Sequence, residues 1–110
     1  MESRTRVLNA LNHQEPDRVP FDLGSAMMTG IHTQAYQRWR NSLGLPAEIQ
    51  LVLFEPSMQI VHVAEDFAER LQIDTRAALL AWPSGFAWDV HEDSDSWYYY
   101  DEWGYGLKMP

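Results

Sequence analysis

Val7, Leu8 and Leu11 recur at i, i+1 and i+4, one apolar stripe of a 3.6-residue period, and they predict a first helix. Ser3 is placed to cap it. Glu15-Pro16 should end it, because a residue before proline is pushed out of the helical region. Residues 19–23, Val-Pro-Phe-Asp-Leu, then read as extended chain. Pro20 lacks a backbone N–H, which puts this segment at a strand start or an edge. Residues 24–30 form a loop carrying Met27 and Met28.

Thr33 opens a second helix with Tyr36, Trp39 and Leu43 on one face, and Gly44 and Pro46 follow as stop signals. A third helix is expected from Pro56, a residue suited to a first helical position, with Ile60, Ala64, Phe67, Ala68 and Leu71 as its stripe. Residues 50–54, QLVLF, fit a short strand or an extra turn. Beyond Ile73 and Asp74 the pattern changes. Residues 77–82 are a continuous apolar run stopped by Pro83, as a strand buried on both faces of a parallel sheet requires. A helical continuation is the alternative, since Ala and Leu favour helix. Residues 97–107 read as two aromatic strands or a hairpin. No repeat or linker divides the chain, so residues 1–110 count as one segment.

Length and charge narrow the function classes. At 110 residues the chain can bury roughly 60–68% of its unfolded surface, whereas a complete (β/α)8 barrel needs at least about 200 residues. Sixteen acids against eight bases leave a net charge of −8, which repels nucleic acid and anionic lipid alike. Six of the carboxylates lie in residues 89–102, where Lys and Arg are absent, and such a run reads as a solvated loop. Without cysteine there is no disulfide and no thiolate metal site in this segment. The first residues do not read as a secretory signal, and no apolar run approaches the ~18 residues of a membrane span. A cytoplasmic protein without membrane partners is expected.

The candidate chemistry is sparse. His62, Glu65 and Asp66 stand at i, i+3 and i+4, a spacing that metal sites use, but a solvent-exposed polar face is the preferred reading. Asp22 is the candidate acid or base. It lies where the first extended segment meets the Gly24 loop, and burial beside Phe21 and Leu23 would disfavour its charged form. The competing role for Asp22 is to staple the loop through backbone N–H groups.

Taken together, RVLNALNHQEPDRVPFDLG from Arg6 to Gly24, LQIDTR around Asp74 and DEWG around Trp103 resemble the N-terminal part of the uroporphyrinogen decarboxylase-like superfamily. That resemblance implies an α/β fold: the N-terminal portion of a (β/α)8 barrel, helix-rich with a few short strands. It also implies a parent enzyme, either a decarboxylase (lyase) or a methyltransferase, whose N-terminal piece is inactive alone. The porphyrinogen decarboxylases carry arginines just after the first strand and an aspartate after the third helix. The matching positions here are residues 23–28, which hold no arginine, and Ala81 or Trp82.

The methyltransferase branch is therefore the nearer one. For such a parent the resemblance implies zinc and a corrinoid, with a small-molecule substrate or a corrinoid protein as partner and with no cofactor held by this segment. Gly24, Met27 and Met28 are the implied substrate-pocket positions. Asp74 and Arg76 are read as fixing a helix-to-strand turn, through backbone hydrogen bonds or a mutual ion pair. Trp103 is read as a packing anchor. Two alternatives remain: a small acidic α+β binding module using exposed aromatics, and a layer that associates with the missing barrel portion.

Overall fold

The structure is a computed structural model that describes residues 1–79, 81 and 83–109. Helix α1 spans Ser3–Leu11, α2 Thr33–Ser42 and α3 Glu65–Arg70. Strands β1 (Ile31–His32), β2 (Leu53–Glu55) and β3 (Ile60–Val61) form one small sheet. Strands β4 (His91–Asp93), β5 (Ser96–Tyr100) and β6 (Gly106–Met109) form a second.

Every strand pairing among the described residues is antiparallel. This overturns the barrel expectation, because a barrel portion carries parallel strands joined by helical crossovers. The chain is instead an α+β arrangement, 26% helical.

The helices end by one device. In α2 the N–H of Gly44 reaches Asn41 and that of Leu45 reaches Arg40, with Gly44 at φ 70°, a Schellman motif. The same pair of bonds closes α1 through His13 (φ 58°) and α3 through Gln72 (φ 54°). Helix α1 thus stops before Glu15-Pro16. Its N-cap position falls on Glu2, without a side-chain cap, so Ser3 is the first helical residue. Helix α2 follows the expected bounds, and His32 caps it by accepting the Gln34 N–H on Nδ1 at 3.2 Å.

The third helix is much shorter than its apolar stripe suggests. Pro56 begins a turn in which Gln59 takes φ 52°, and Ile60 and Val61 become the central strand β3 between β1 and β2. Branching at Cβ stiffens these residues and suits them to a pleated surface, so pairing wins over helical periodicity here. Helix α3 then starts at Glu65, with Glu65 and Asp66 in its first turn and Arg70 in its last, as its dipole favours.

Tyr36, Val61 and Phe67 are fully buried and form the core with Val63, Ala68 and Ile73. Tyr36 meets the Phe67 ring edge-on at 4.8 Å and Trp39 meets it at 5.4 Å, which clamps α2 against α3. Among the described residues, none of the second sheet belongs to this core. The radius of gyration, 16.9 Å, exceeds the ~13 Å of a compact chain of about 100 residues, and the extents are 51 × 33 × 24 Å.

Two expected strands do not form. Residues 19–23 have no regular structure and, among the described residues, pair with no strand; Phe21 instead exchanges bonds with Asp74, whose N–H reaches the Phe21 carbonyl at 2.8 Å. Of residues 77–82, Leu80 and Trp82 lie outside the described residues. Residues 77–79 and 81 have no regular structure, with Ala78, Leu79 and Ala81 exposed, so this run is not a strand buried on both faces. The aromatic hairpin does form, as β5 and β6, and β4 extends it to a three-stranded meander. Trp103 stands 79% exposed in its turn, so it is not the buried packing anchor expected of it.

Candidate functional site

Asp74 organises the N-terminal half. Its side chain is completely buried, a position a carboxylate tolerates only when charge and hydrogen bonds surround it. Arg6 Nη1 donates to Oδ1 at 2.5 Å, Arg18 Nη1 donates to Oδ2 at 2.7 Å, and the Phe21 N–H donates to Oδ2 at 2.9 Å. Burial opposes ionisation of Asp74, but the Phe21 N–H, Ser3 and the two arginines outweigh it and hold the pKa down to about 2.

Arg6 itself is buried on α1 and forks onto Asp17, with Nε at 2.7 Å from Oδ1 and Nη2 at 2.9 Å from Oδ2. That pair drives Arg6 well above and Asp17 well below their ordinary values. Arg18 also donates to the Gln72 carbonyl at 2.9 Å, tying the α3 terminus to the knot. Asp74 thus pairs with Arg6 and Arg18. Of the two expected roles for Asp74 and Arg76, the mutual ion pair is replaced by Glu65, which holds Arg76 at 2.7 and 2.8 Å. Backbone hydrogen bonds do fix the turn, Arg76 Nη1 donating to the Ile73 and Thr75 carbonyls at 2.7 and 2.8 Å.

Next to this knot lies a cleft of about 250 Å³ walled by Leu23, Gly24, His62, Val63, Thr75 and Arg76. Gly24 is buried with φ 81°, and a Cβ there would come within 2.6 Å of Val63 Cγ2. Only glycine lets the loop approach Val63 so closely. Asp22 reaches the cleft through Thr75, whose hydroxyl donates to Oδ1 at 2.5 Å, while Ser25 Oγ donates to Oδ2 at 2.8 Å.

The Asp22 side chain is exposed. Desolvation works against its charge, yet hydrogen bonds from Thr75, Ser25 and Thr29 prevail and lower its pKa. A carboxylate so held is ionised at neutral pH and can accept a proton or a hydrogen bond. Of the expected pocket residues, Gly24 lines the cleft. Met27 and Met28 lie on the short 3-10 turn Met27–Thr29 beside it, half-buried and 87% exposed respectively.

His62, Glu65 and Asp66 do not converge. His62 precedes α3 and packs near Phe54, with ring centroids 5.6 Å apart. Glu65 engages Arg76, and Asp66 engages Arg40. No group of three metal-ligating side chains occurs among the described residues.

A second buried arginine escaped the sequence reading. Arg40 spans Asp66 (2.7 and 2.8 Å), the Pro46 carbonyl (2.9 and 3.0 Å) and the Tyr36 hydroxyl (3.1 Å). Tyr36 in turn donates to Glu48 at 2.8 Å and accepts the Ala64 N–H at 3.1 Å. Arg40 and Asp66 sit in separate helices, and nothing local in the sequence announces their pairing. For Arg6 and Asp74 a signal existed, since both belong to the segments that carry the resemblance.

Fold and site together define an α+β chain whose N-terminal half is closed by buried arginine–carboxylate pairs beside a small cleft. No family model, curated protein or solved structure matches the chain. Among the described residues, no helix is long and apolar enough to cross a membrane.

Proposed function

We propose that the chain is the N-terminal part of an enzyme of the uroporphyrinogen decarboxylase-like type, closer to the corrinoid-dependent methyltransferases than to the porphyrinogen decarboxylases. The observation that supports this reading is the Asp74 knot. Arg6, Asp17, Arg18 and Asp74 all come from the segments that carry the resemblance, and they meet at 2.5–3.1 Å. A closure between such distant segments needs all of its partners at once, which gives the shared residues a common physical purpose.

In this role the segment supplies position rather than the reacting group. The knot holds the loop of residues 24–30 and the adjoining cleft in place. Gly24, with Met27 and Met28 on the neighbouring turn, offers an arginine-free loop beside the cleft, and the one arginine in the cleft wall, Arg76, is already engaged by Glu65, which suits a substrate without multiple carboxylates. Asp22, kept ionised, orients a polar group of that substrate. Zinc would lower the pKa of a bound thiol until the thiolate is the reacting species, and its ligands would come from residues outside this cysteine-free segment.

The test uses the protein encoded by the whole reading frame. Metal analysis is expected to find zinc, and absorbance spectra are expected to change on addition of methylcobalamin. A stop codon directly after residue 110, or a longer protein binding neither zinc nor a corrinoid, would defeat the reading.

A further inference from the structure

The C-terminal meander presents exposed aromatic rings on the side of β5 that carries Tyr98 and Tyr100, with Ser96 at the end of that side buried. Alternation along β5 sends Trp97 and Tyr99 to one side and Tyr98 and Tyr100 to the other. Tyr99 is fully buried against Trp88, with ring centroids 5.0 Å apart, which makes the opposite side the outer one at this position, while Trp97 nearer the strand start is itself 46% exposed. On the outer side Tyr98 is 37% and Tyr100 53% exposed, and Trp103 in the adjoining turn is 79% exposed.

These outer rings are ordered. His91 stacks on Tyr98 at 5.0 Å with 21° between the planes, and Tyr98 meets Tyr100 edge-on at 6.4 Å. Tyr100 covers Gly106, where a Cβ would lie 3.2 Å from its ring. The charge around them has one dominant sign. Residues 86–109 hold six carboxylates and a single lysine, Lys108. Asp89 pairs with His91 at 2.9 Å, and Asp93 precedes the tight turn into β5.

We propose that this face docks a basic segment of a partner protein, with Lys or Arg side chains lying over Tyr98, Tyr100 and Trp103 and with Asp89, Asp93 and Asp95 balancing their charge. Aromatic faces attract cations, and the surrounding carboxylates raise the local concentration of a positively charged partner. A second copy of this chain is a poor occupant, because it sets −8 against −8. Nucleic acid and anionic lipid meet the same repulsion. The proposal stands on the meander alone and is independent of the enzymatic reading.

The experiment titrates the full chain with a fluorescein-labelled twelve-residue peptide of alternating Lys and Ser, followed by anisotropy, with the Glu-Ser counterpart as control. The Lys peptide is expected to bind and the Glu peptide to fail. Affinity should fall at least about threefold between 50 and 200 mM NaCl as screening shortens the reach of the charges. Trp103→Ala and Tyr100→Ala each keep every charge and should weaken binding about two- to fivefold.

Trp103→Ala lies in an exposed turn and keeps the comparison free of folding losses, which its urea midpoint verifies. Equal binding of the two peptides, salt-insensitive binding, or unchanged affinity in both ring variants would overturn the proposal. So would sedimentation showing that the chain pairs with itself through this face.

Discussion

Arg6 and Asp74 are 68 positions apart, yet Nη1 of the first lies 2.5 Å from Oδ1 of the second, with both side chains withdrawn from water. The bond joins α1 to the segment that leaves α3. Arg18 and the Phe21 N–H use the remaining acceptor sites of the same carboxylate, so one aspartate fastens three stretches of chain.

Asp74→Asn keeps the shape and removes the charge. Two guanidinium groups then face a neutral amide, and taking one partner from a buried pair costs about 3–5 kcal/mol. Urea denaturation should show a loss of roughly 3 kcal/mol. A loss below about 1 kcal/mol would mean that water replaces the carboxylate without difficulty.

The same carboxylate sets an acid limit. Its folded pKa, about 2, lies below the unfolded value near 3.8, so its contribution is complete above the unfolded value and is lost as pH falls through the folded one. Asp17, shifted in the same direction, adds to this loss. Urea midpoints measured from pH 5 downward should drop between pH ~4 and ~2, and Asp74→Asn should flatten that drop.

Arg40→Lys tests whether the second buried arginine acts by charge or by shape. A lysine retains the charge but cannot span Asp66, Pro46 and Tyr36 together, because it lacks the planar fork. The expected loss is about 2–3 kcal/mol, comparable to leaving buried acceptors unpaired. A wild-type melting curve for the variant would show that charge alone suffices.

Gly24 and Gly104 share a left-handed backbone, φ 81° and 80°, but differ in surroundings. At Gly104 a Cβ meets open space, whereas at Gly24 it meets Val63 at 2.6 Å. Gly104→Ala should cost about 1 kcal/mol from backbone strain, and Gly24→Ala should cost at least ~1–3 kcal/mol more from overpacking. Equal costs would remove the close approach as the reason for Gly24. Substrate or ligand binding at the adjoining cleft should suffer only in the Gly24 variant.

Much of the candidate site was legible as residues but not as partners. Asp74, Gly24 and Asp22 stood out beforehand. The identities of Arg6, Arg18 and Thr75 as their companions did not, because those contacts span 53–68 positions. Asp22 shows the consequence. Its apolar neighbours suggested a desolvated acid, while the hydroxyls of Thr75 and Ser25, one of them distant in sequence, hold it charged.

The amino-acid order alone was enough for features whose causes act within a few residues. Helix α2 follows from its apolar stripe and its Gly44 stop, and the aromatic hairpin follows from alternation and the DEWG turn closed on Asp101. Tertiary structure decided the rest. Ile60 and Val61 left the helical stripe because β1 and β2 offered them backbone partners on both sides. The antiparallel pairings, between chain neighbours in β2–β3, β4–β5 and β5–β6 and between more distant segments in β1–β3, excluded the barrel portion that the resemblance implied. Local periodicity states which faces are apolar, but strand partners and buried counter-charges are chosen only when distant segments meet and exclude water.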